Sequence, residues 1–69
     1  MSIGKAVRCF INEKNLTKYR VAKNASMAET TLGEIANGKN NNPRLDTLEK
    51  VAKGLGVTLS ELIKKAEEF

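Results

Sequence analysis

Residues 16–39, LTKYRVAKNASMAETTLGEIANGK, contain two short helical patterns in succession. The first pattern predicts a helix over residues 18–25, with the hydroxyl of Thr17 capping its start. The second predicts a helix that follows the capping-box motif Ser26-x-x-Glu29 and ends near Asn37, where glycine comes next. Only two or three residues are left to join the two helices.

This short connection suits two helices that cross steeply, and Ala22 is small where they would approach each other. A helix held in this way projects from the body of the domain, and its exposed face can enter the major groove of DNA. An ordinary helical bundle with small residues at its contacts explains the same spacing equally well. The spacing alone therefore leaves both interpretations open.

Helical periodicity continues on both sides of this stretch, and no alternating strand pattern occurs. Asn15 and Gly56 suit the left-handed conformation that ends helices, and Thr58-x-x-Glu61 forms a second capping box. The residues expected to face the core are Ile3, Val7, Phe10, Ile11, Val21, Ala22, Ala25, Leu32, Ile35, Leu45, Leu48, Val51, Ala52, Leu55, Leu59, Leu62 and Ile63. The pattern predicts an all-α bundle of five short helices forming a single domain over residues 1–69.

The composition excludes several classes of function. The chain has 69 residues, 12 basic and 8 acidic side chains, a net charge of +4, one cysteine and no histidine. Zinc ligation, an internal disulfide framework and a nucleophile–histidine pair are all ruled out by that inventory. We expect neither an enzyme nor a bound metal or cofactor. Because no apolar run has the length of a membrane span or a signal peptide, we expect a cytoplasmic protein with no membrane partner.

The positive charge is unevenly distributed. Residues 1–44 carry eight basic and three acidic side chains, whereas residues 45–69 carry four basic and five acidic ones. The first part therefore has a net charge of +5 and the second a net charge of −1. A basic balance is by itself only a weak indication of an anionic partner, but this distribution places the excess around the two central helices.

Two spaced motifs carry a resemblance to a known family. Residues 16–39 follow the pattern LTxxxVAxxASMxxTTLxxIxNGK, and residues 42–62 follow NPxLxTLxKVAxxLGVTLxEL. Over about residues 3–63 the chain resembles the lambda-repressor/Cro-like (XRE) helix-turn-helix family. The resemblance implies a compact five-helix bundle and sequence-specific binding of double-stranded DNA by a transcriptional regulator, with repression as the expected mode. It also implies that the third helix contacts bases, while the start of the second helix and the loop after Gly38 contact phosphates.

The chain departs from the family pattern at three positions. Ser26 stands at the turn where members usually have glycine, and a left-handed serine is disfavoured, so a local difference is expected there. Ile11 and Ala36 are apolar where many members have an arginine and an acid that form an ion pair. Because both charges are absent together, no charge is left unpaired, and such a replacement can be neutral or stabilising.

With Leu32 and Ile35 inward, a rotation of about 100° per residue predicts which side chains of the third helix face bases. They are Glu29, Thr30, Gly33, Glu34 and Asn37. Threonine can contact a thymine methyl group, glutamate can accept from cytosine, and asparagine can pair with adenine. Each has an alternative: Glu29 as the capping-box acid, Glu34 as a solvated acid, and Gly33 as a tolerated surface substitution. The outward face has no basic side chain, and its two glutamates repel phosphates.

Affinity for the DNA backbone would then come from residues that flank the third helix. The predicted phosphate contacts are Lys18, Arg20, Lys23, Lys39, Asn40 and Arg44. Each one alone is better explained as a solvated surface group, so the indication lies in the set. If roughly four to six phosphates per protomer are contacted, binding should weaken steeply with salt.

Ala66 and Phe69 are the candidates for a dimer surface, since the fifth helix has more apolar residues than a small bundle needs. A disordered terminal tail explains Phe69 equally well. We expect a weak homodimer that strengthens on DNA, with two third helices one DNA turn apart, roughly 34 Å. The alternative function is a protein-interaction module of the same fold with little or no base-specific contact.

Overall fold

The computed structural model describes all residues, Met1–Phe69, and contains five α-helices and no strand. The helices are α1 (Ile3–Glu13), α2 (Lys18–Asn24), α3 (Glu29–Ala36), α4 (Leu45–Leu55) and α5 (Leu59–Glu67). The predicted all-α, five-helix architecture is confirmed. None of these helices combines the length and the apolar composition that crossing a bilayer requires.

Three helices end in the same left-handed turn. Asn15 follows α1 with φ 55°, Ser26 follows α2 with φ 57°, and Gly56 follows α4 with φ 76°. After α2, the amide of Ser26 donates to the carbonyl of Lys23 at 3.1 Å. The next amide donates five residues back, to the carbonyl of Ala22, at 3.0 Å. This pair of bonds is the Schellman motif, which satisfies carbonyls that a helix end would otherwise leave free.

The Ser26 turn corrects one prediction about the start of α3. The N-cap of α3 is Ala28, and no side chain caps the helix. The predicted Ser26–Glu29 capping box is therefore wrong, because Ser26 is used to end α2 and lies two residues before the N-cap. The other predicted caps are confirmed: Thr17 accepts from the third residue of α2, and Thr58 and Glu61 form a reciprocal capping box at α5.

The core lies between all five helices and contains no buried polar or charged side chain. Its largest fully buried residues are Val7, Val21, Leu32, Ile35, Val51, Leu55 and Leu62. Ala36 is also buried and Ile11 packs against the same cluster, so the two apolar substitutions of the family ion pair both face the core. The predicted inward position of Leu45 is wrong: this first residue of α4 lies beyond the core and is 64% exposed.

Two glycines bring helices closer than any other residue would allow. A Cβ atom at Gly4 in α1 would lie 2.7 Å from the carbonyl oxygen of Ile35, near the end of α3. A Cβ atom at Gly54 in α4 would lie 2.5 Å from the carbonyl oxygen of Val21 in α2. Real Cβ contacts are essentially never so short. The two glycines therefore fix how the central helices sit on α1 and α4.

Lys65 joins the end of α5 to α1. Its Nζ atom lies 3.6 Å from Oε2 of Glu13 and 5.4 Å from the centre of the Phe10 ring. At the same end, the amide of Ser2 donates to the carbonyl of Ala66 at 3.0 Å. Ala66 is completely buried by this packing, so its prediction as a dimer-surface residue is wrong, whereas Phe69 is 48% exposed.

Candidate nucleic-acid interface

The outer surface of α3 carries most of the side chains that the sequence predicted to face bases. Glu29 and Thr30 are exposed at the start of the helix, and Gly33 and Glu34 are half-buried one turn later. Thr31 is also exposed, although the sequence analysis did not include it. Thr31 and Gly33 are the two neighbours of the inward-facing Leu32, and each is rotated about 100° from it, in opposite directions. The same helical rotation that predicted Gly33 therefore also predicts that Thr31 lies at the edge of the exposed face.

Glu29 makes no capping contact. Because Ala28 is the N-cap and no side chain bonds to the start of α3, the alternative interpretation of Glu29 as a capping-box acid is wrong. Its carboxylate lies in the first turn of the helix, where the N-terminal end of the helix dipole favours a negative charge. Glu29 is thus free to contact a group outside the chain.

Asn37 lies just past the end of α3, as its C-cap. Its side-chain oxygen accepts from the amide of Lys39 at 2.9 Å. This bond uses one acceptor position of the carboxamide and leaves its NH₂ group available. Asn37 therefore shapes the start of the following loop, and its predicted contact with a base remains a prediction.

The basic loop after α3 is fastened to that helix by backbone hydrogen bonds. The amide of Asn40 donates to the carbonyl of Glu34 at 2.9 Å, and that of Gly38 to the carbonyl of Ile35 at 3.3 Å. The side-chain oxygen of Asn40 in turn accepts from the amide of Asn42 at 3.2 Å. These bonds hold the backbone on both sides of Lys39 beside the end of α3, and the Lys39 side chain is exposed.

Helix α2 presents a second group of exposed polar side chains. Lys18, Tyr19 and Arg20 are exposed in its first turn, where Tyr19 is 58% accessible, and Lys23 is exposed in its last turn. The hydroxyl of Thr17 accepts from the amide of Arg20 at 3.1 Å and so fixes the first turn of the helix. Tyr19 was missed in the sequence analysis, although tyrosine is among the side chains that bond phosphate oxygens in protein–DNA complexes.

Arg44 has a neighbour that the sequence analysis also missed. Its Nε atom lies 3.8 Å from Oδ1 of Asp46, and both side chains are largely exposed. An exposed pair of this kind contributes little to stability. The guanidinium group remains accessible for an anionic partner, with Asp46 reducing its net positive field.

Cys9 lies outside this surface, on α1. Its Sγ atom donates to Oε2 of Glu13 at 3.4 Å. Partial burial, together with the neighbouring carboxylate of Glu13, raises the pKa of the Cys9 thiol above its usual value. The thiol is therefore kept in its protonated, poorly nucleophilic form.

A family model described as helix-turn-helix matches residues 5–62. This chain belongs to the XRE-type helix-turn-helix family. Within the family, its sequence is 32% identical over 63 residues to the immunity repressor protein of Bacillus phage phi105. The match includes 91% of this chain and 43% of the repressor, so the chain spans less than half the length of that relative.

Several solved structures share the fold of this chain. SinR, the master regulator for biofilm formation, was solved in complex with DNA; it is 30% identical, with 88% of this chain and 97% of SinR aligned at a TM-score of 0.79. The clp gene regulator ClgR from C. glutamicum is 23% identical. The alignment covers 96% of this chain and 84% of the ClgR chain, with a TM-score of 0.85. The restriction-modification controller protein C.Esp1396I is 22% identical. The alignment covers 97% of this chain and 91% of the C.Esp1396I chain, with a TM-score of 0.79. The last two matches support the fold alone.

Proposed function

We propose that this chain is a sequence-specific, double-stranded DNA-binding regulator of transcription that acts as a repressor. The observation that carries the proposal is its likeness to SinR, which has the same fold, 30% identity and a solved complex with DNA. Its similarity to a phage immunity repressor supports repression as the mode of action.

In the proposed complex, α3 lies in the major groove with its exposed side chains toward base edges. Thr30 can place its methyl group against a thymine methyl or bond a base through its hydroxyl. The carboxylate of Glu34 can accept from the amino group of cytosine. Because α3 has no basic side chain, discrimination between sequences would come from these neutral and acidic groups, and affinity would come from elsewhere.

That affinity would come from the basic groups on both sides of α3. Lys18 and Arg20 are exposed at the start of α2, and Lys39 is exposed in the loop that is bonded to the end of α3. Lysine and arginine neutralise phosphates without regard to base sequence. Hydrogen bonds fix the backbone at the start of α2 and in the loop after α3, so the points where these side chains attach are held relative to α3.

We further propose that two copies bind one symmetric operator as a weak dimer that is strengthened by DNA. The exposed side chain of Phe69 is the candidate contact, while the buried Ala66 is not. Sedimentation velocity with and without a bound duplex tests this directly. A 2:1 complex is expected on the duplex, and a protein that stays monomeric when bound would contradict the dimer.

The salt dependence of binding to a random-sequence 30-base-pair duplex tests the DNA-binding proposal. With roughly four to six phosphates contacted per protomer, log affinity should fall against log salt with a slope of about −3.6 to −5.4 for each bound protomer. Lys18→Ala and Lys39→Ala should each weaken binding to all duplexes alike and reduce the slope by about 1. Lys64→Ala, in the exposed surface of α5, is the matched control and should leave the slope unchanged.

A slope near zero, or equal effects of all three lysine substitutions, would contradict phosphate binding by this surface. The alternative protein-interaction module would show the same absence of salt-dependent DNA binding. Pull-down of a protein partner that is lost on substitution of α3 residues would then favour that alternative.

A further inference from the structure

Four of the five glycines have a structural reason in the fold. Gly4 and Gly54 stand where an added Cβ atom would collide with backbone carbonyls. Gly38 and Gly56 have positive φ angles, 84° and 76°, which other residues rarely adopt. Gly33 has neither property: it lies within the α3 helix, and a Cβ atom there would meet no other part of the protein within 4 Å.

A glycine in the middle of a helix is less favourable than alanine, because the unfolded chain loses more conformational freedom. Packing does not offset that disadvantage at Gly33, since the position is open. Glu29 and Thr30 lie one helical turn before it and Asn37 one turn after it. Gly33 is therefore a gap in the row of side chains on the proposed DNA-facing surface.

We propose that Gly33 is a specificity determinant, whose bare backbone contacts the 5-methyl group of a thymine in the major groove. The inference rests on the proposed function, since it requires α3 to enter that groove. The Cα atom of Gly33 presents only C–H groups, and the thymine methyl is the one apolar group on a base edge in that groove. Because no side chain intervenes, the base edge approaches the backbone at this point, where any Cβ atom would occupy the space of the methyl group.

The substitution Gly33→Ala separates this function from a role in folding, because it acts in opposite directions on stability and binding. The variant should melt about 2–8 °C higher than the wild type. Its affinity for the duplex that the wild type selects from a random-sequence pool should fall about tenfold. Ser60→Ala, at an exposed position of α5, is the control for added helix propensity and should leave that affinity unchanged.

Substitution of deoxyuridine for thymine in the selected duplex identifies the contact, because it removes only the methyl group. At one position in each half-site, replacing thymine by deoxyuridine should reduce the affinity of the wild type about fourfold. The Gly33→Ala variant should show no loss at that same position, since the contact is already absent.

The outcomes distinguish the two levels of the proposal. If no duplex is enriched, the proposed function fails and this inference fails with it. If a duplex is enriched but Gly33→Ala binds it as tightly as the wild type, the inference alone is overturned. Equal sensitivity of wild type and variant to deoxyuridine at every position would also overturn it.

Discussion

Replacing Ser26 by glycine should stabilise the protein, because Ser26 occupies a left-handed conformation at the turn between α2 and α3. Its φ angle is 57°, and the side chain is exposed. None of the side-chain hydrogen bonds of the protein involves its hydroxyl. The two hydrogen bonds of the turn come from the backbone amides of Ser26 and Met27, and glycine retains both.

The expected gain is the difference between two opposing terms. A left-handed conformation costs a residue with a Cβ atom roughly 1–2 kcal/mol, and glycine avoids this cost. Glycine also gives the unfolded chain more freedom, which costs about 0.5–1 kcal/mol. The free energy of unfolding should therefore rise by about 0.5–1 kcal/mol, which corresponds to an increase in Tm of about 2–8 °C for a domain of this size.

Thermal unfolding followed by circular dichroism, together with urea denaturation, measures this gain. Ser26→Ala is the matched control, because it removes the hydroxyl but keeps the Cβ atom, and it should give no stabilisation. Asn15→Gly at φ 55° should give a smaller gain, since asparagine tolerates this conformation better than serine. A Ser26→Gly variant that unfolds at or below the wild-type temperature would refute the assignment of strain to this turn.

Three further predictions concern packing and pH. Gly54→Ala should lower the free energy of unfolding by about 1–3 kcal/mol, because the Cβ atom of the alanine would lie 2.5 Å from the carbonyl oxygen of Val21. Urea denaturation measures this loss, and unchanged stability would show that α4 can move away from α2. Leu62→Ala should cost about 2–5 kcal/mol by the same measurement, since Leu62 is fully buried, and a loss below 1 kcal/mol would contradict its place in the core. Hydrogen bonds from Thr58 lower the pKa of Glu61 below its ordinary value of 4.5 in the folded state. The stabilisation by Glu61 is then complete above the ordinary pKa and disappears as the pH falls through the lower folded pKa. Glu61→Gln should reduce the acid-side fall in stability, and an unchanged pH profile would refute this contribution.

Most of the fold follows from the sequence, because the helix ends have strong local signals. Asn15 and Gly56 adopt the predicted left-handed conformations, and Thr58 and Glu61 form the predicted capping box. At these positions the favoured local conformation and the tertiary structure agree. The apolar periodicity of the helices also stops at these residues, so two signals mark each of these boundaries.

The errors occur where tertiary packing overrides a local preference or ends a pattern. The sequence around Ser26 predicts a helix cap, but in the structure Ser26 adopts the left-handed conformation of the tight turn that joins α2 to α3. Leu45 continues the apolar stripe of α4, although the core ends before it reaches this residue. Ala66 lies near the end of the chain and was expected to be exposed, yet α5 packs its last turn against α1. Periodicity gives the face of a helix, but not the extent of the core beneath that face.

For the candidate site, residue types and helical rotation predict the surface but not its internal bonds. The exposure of Thr30 and the location of Lys39 beside α3 follow from the sequence. The bond from the Asn40 amide to the Glu34 carbonyl involves only backbone atoms, so no residue type indicates it. The absence of any packing partner at Gly33 likewise depends on three-dimensional placement.

The central claim is that the exposed surface of α3 discriminates between DNA sequences. Selection from a pool of random duplexes, followed by sequencing, tests it most directly. The wild-type chain should enrich one two-fold symmetric motif whose half-sites lie about one DNA turn apart, roughly 34 Å. A Thr30→Ala, Glu34→Ala variant should relax the preference within each half-site while keeping its affinity for random duplexes. Enrichment of no motif by the wild-type chain, or of the same motif by both proteins, would contradict the claim.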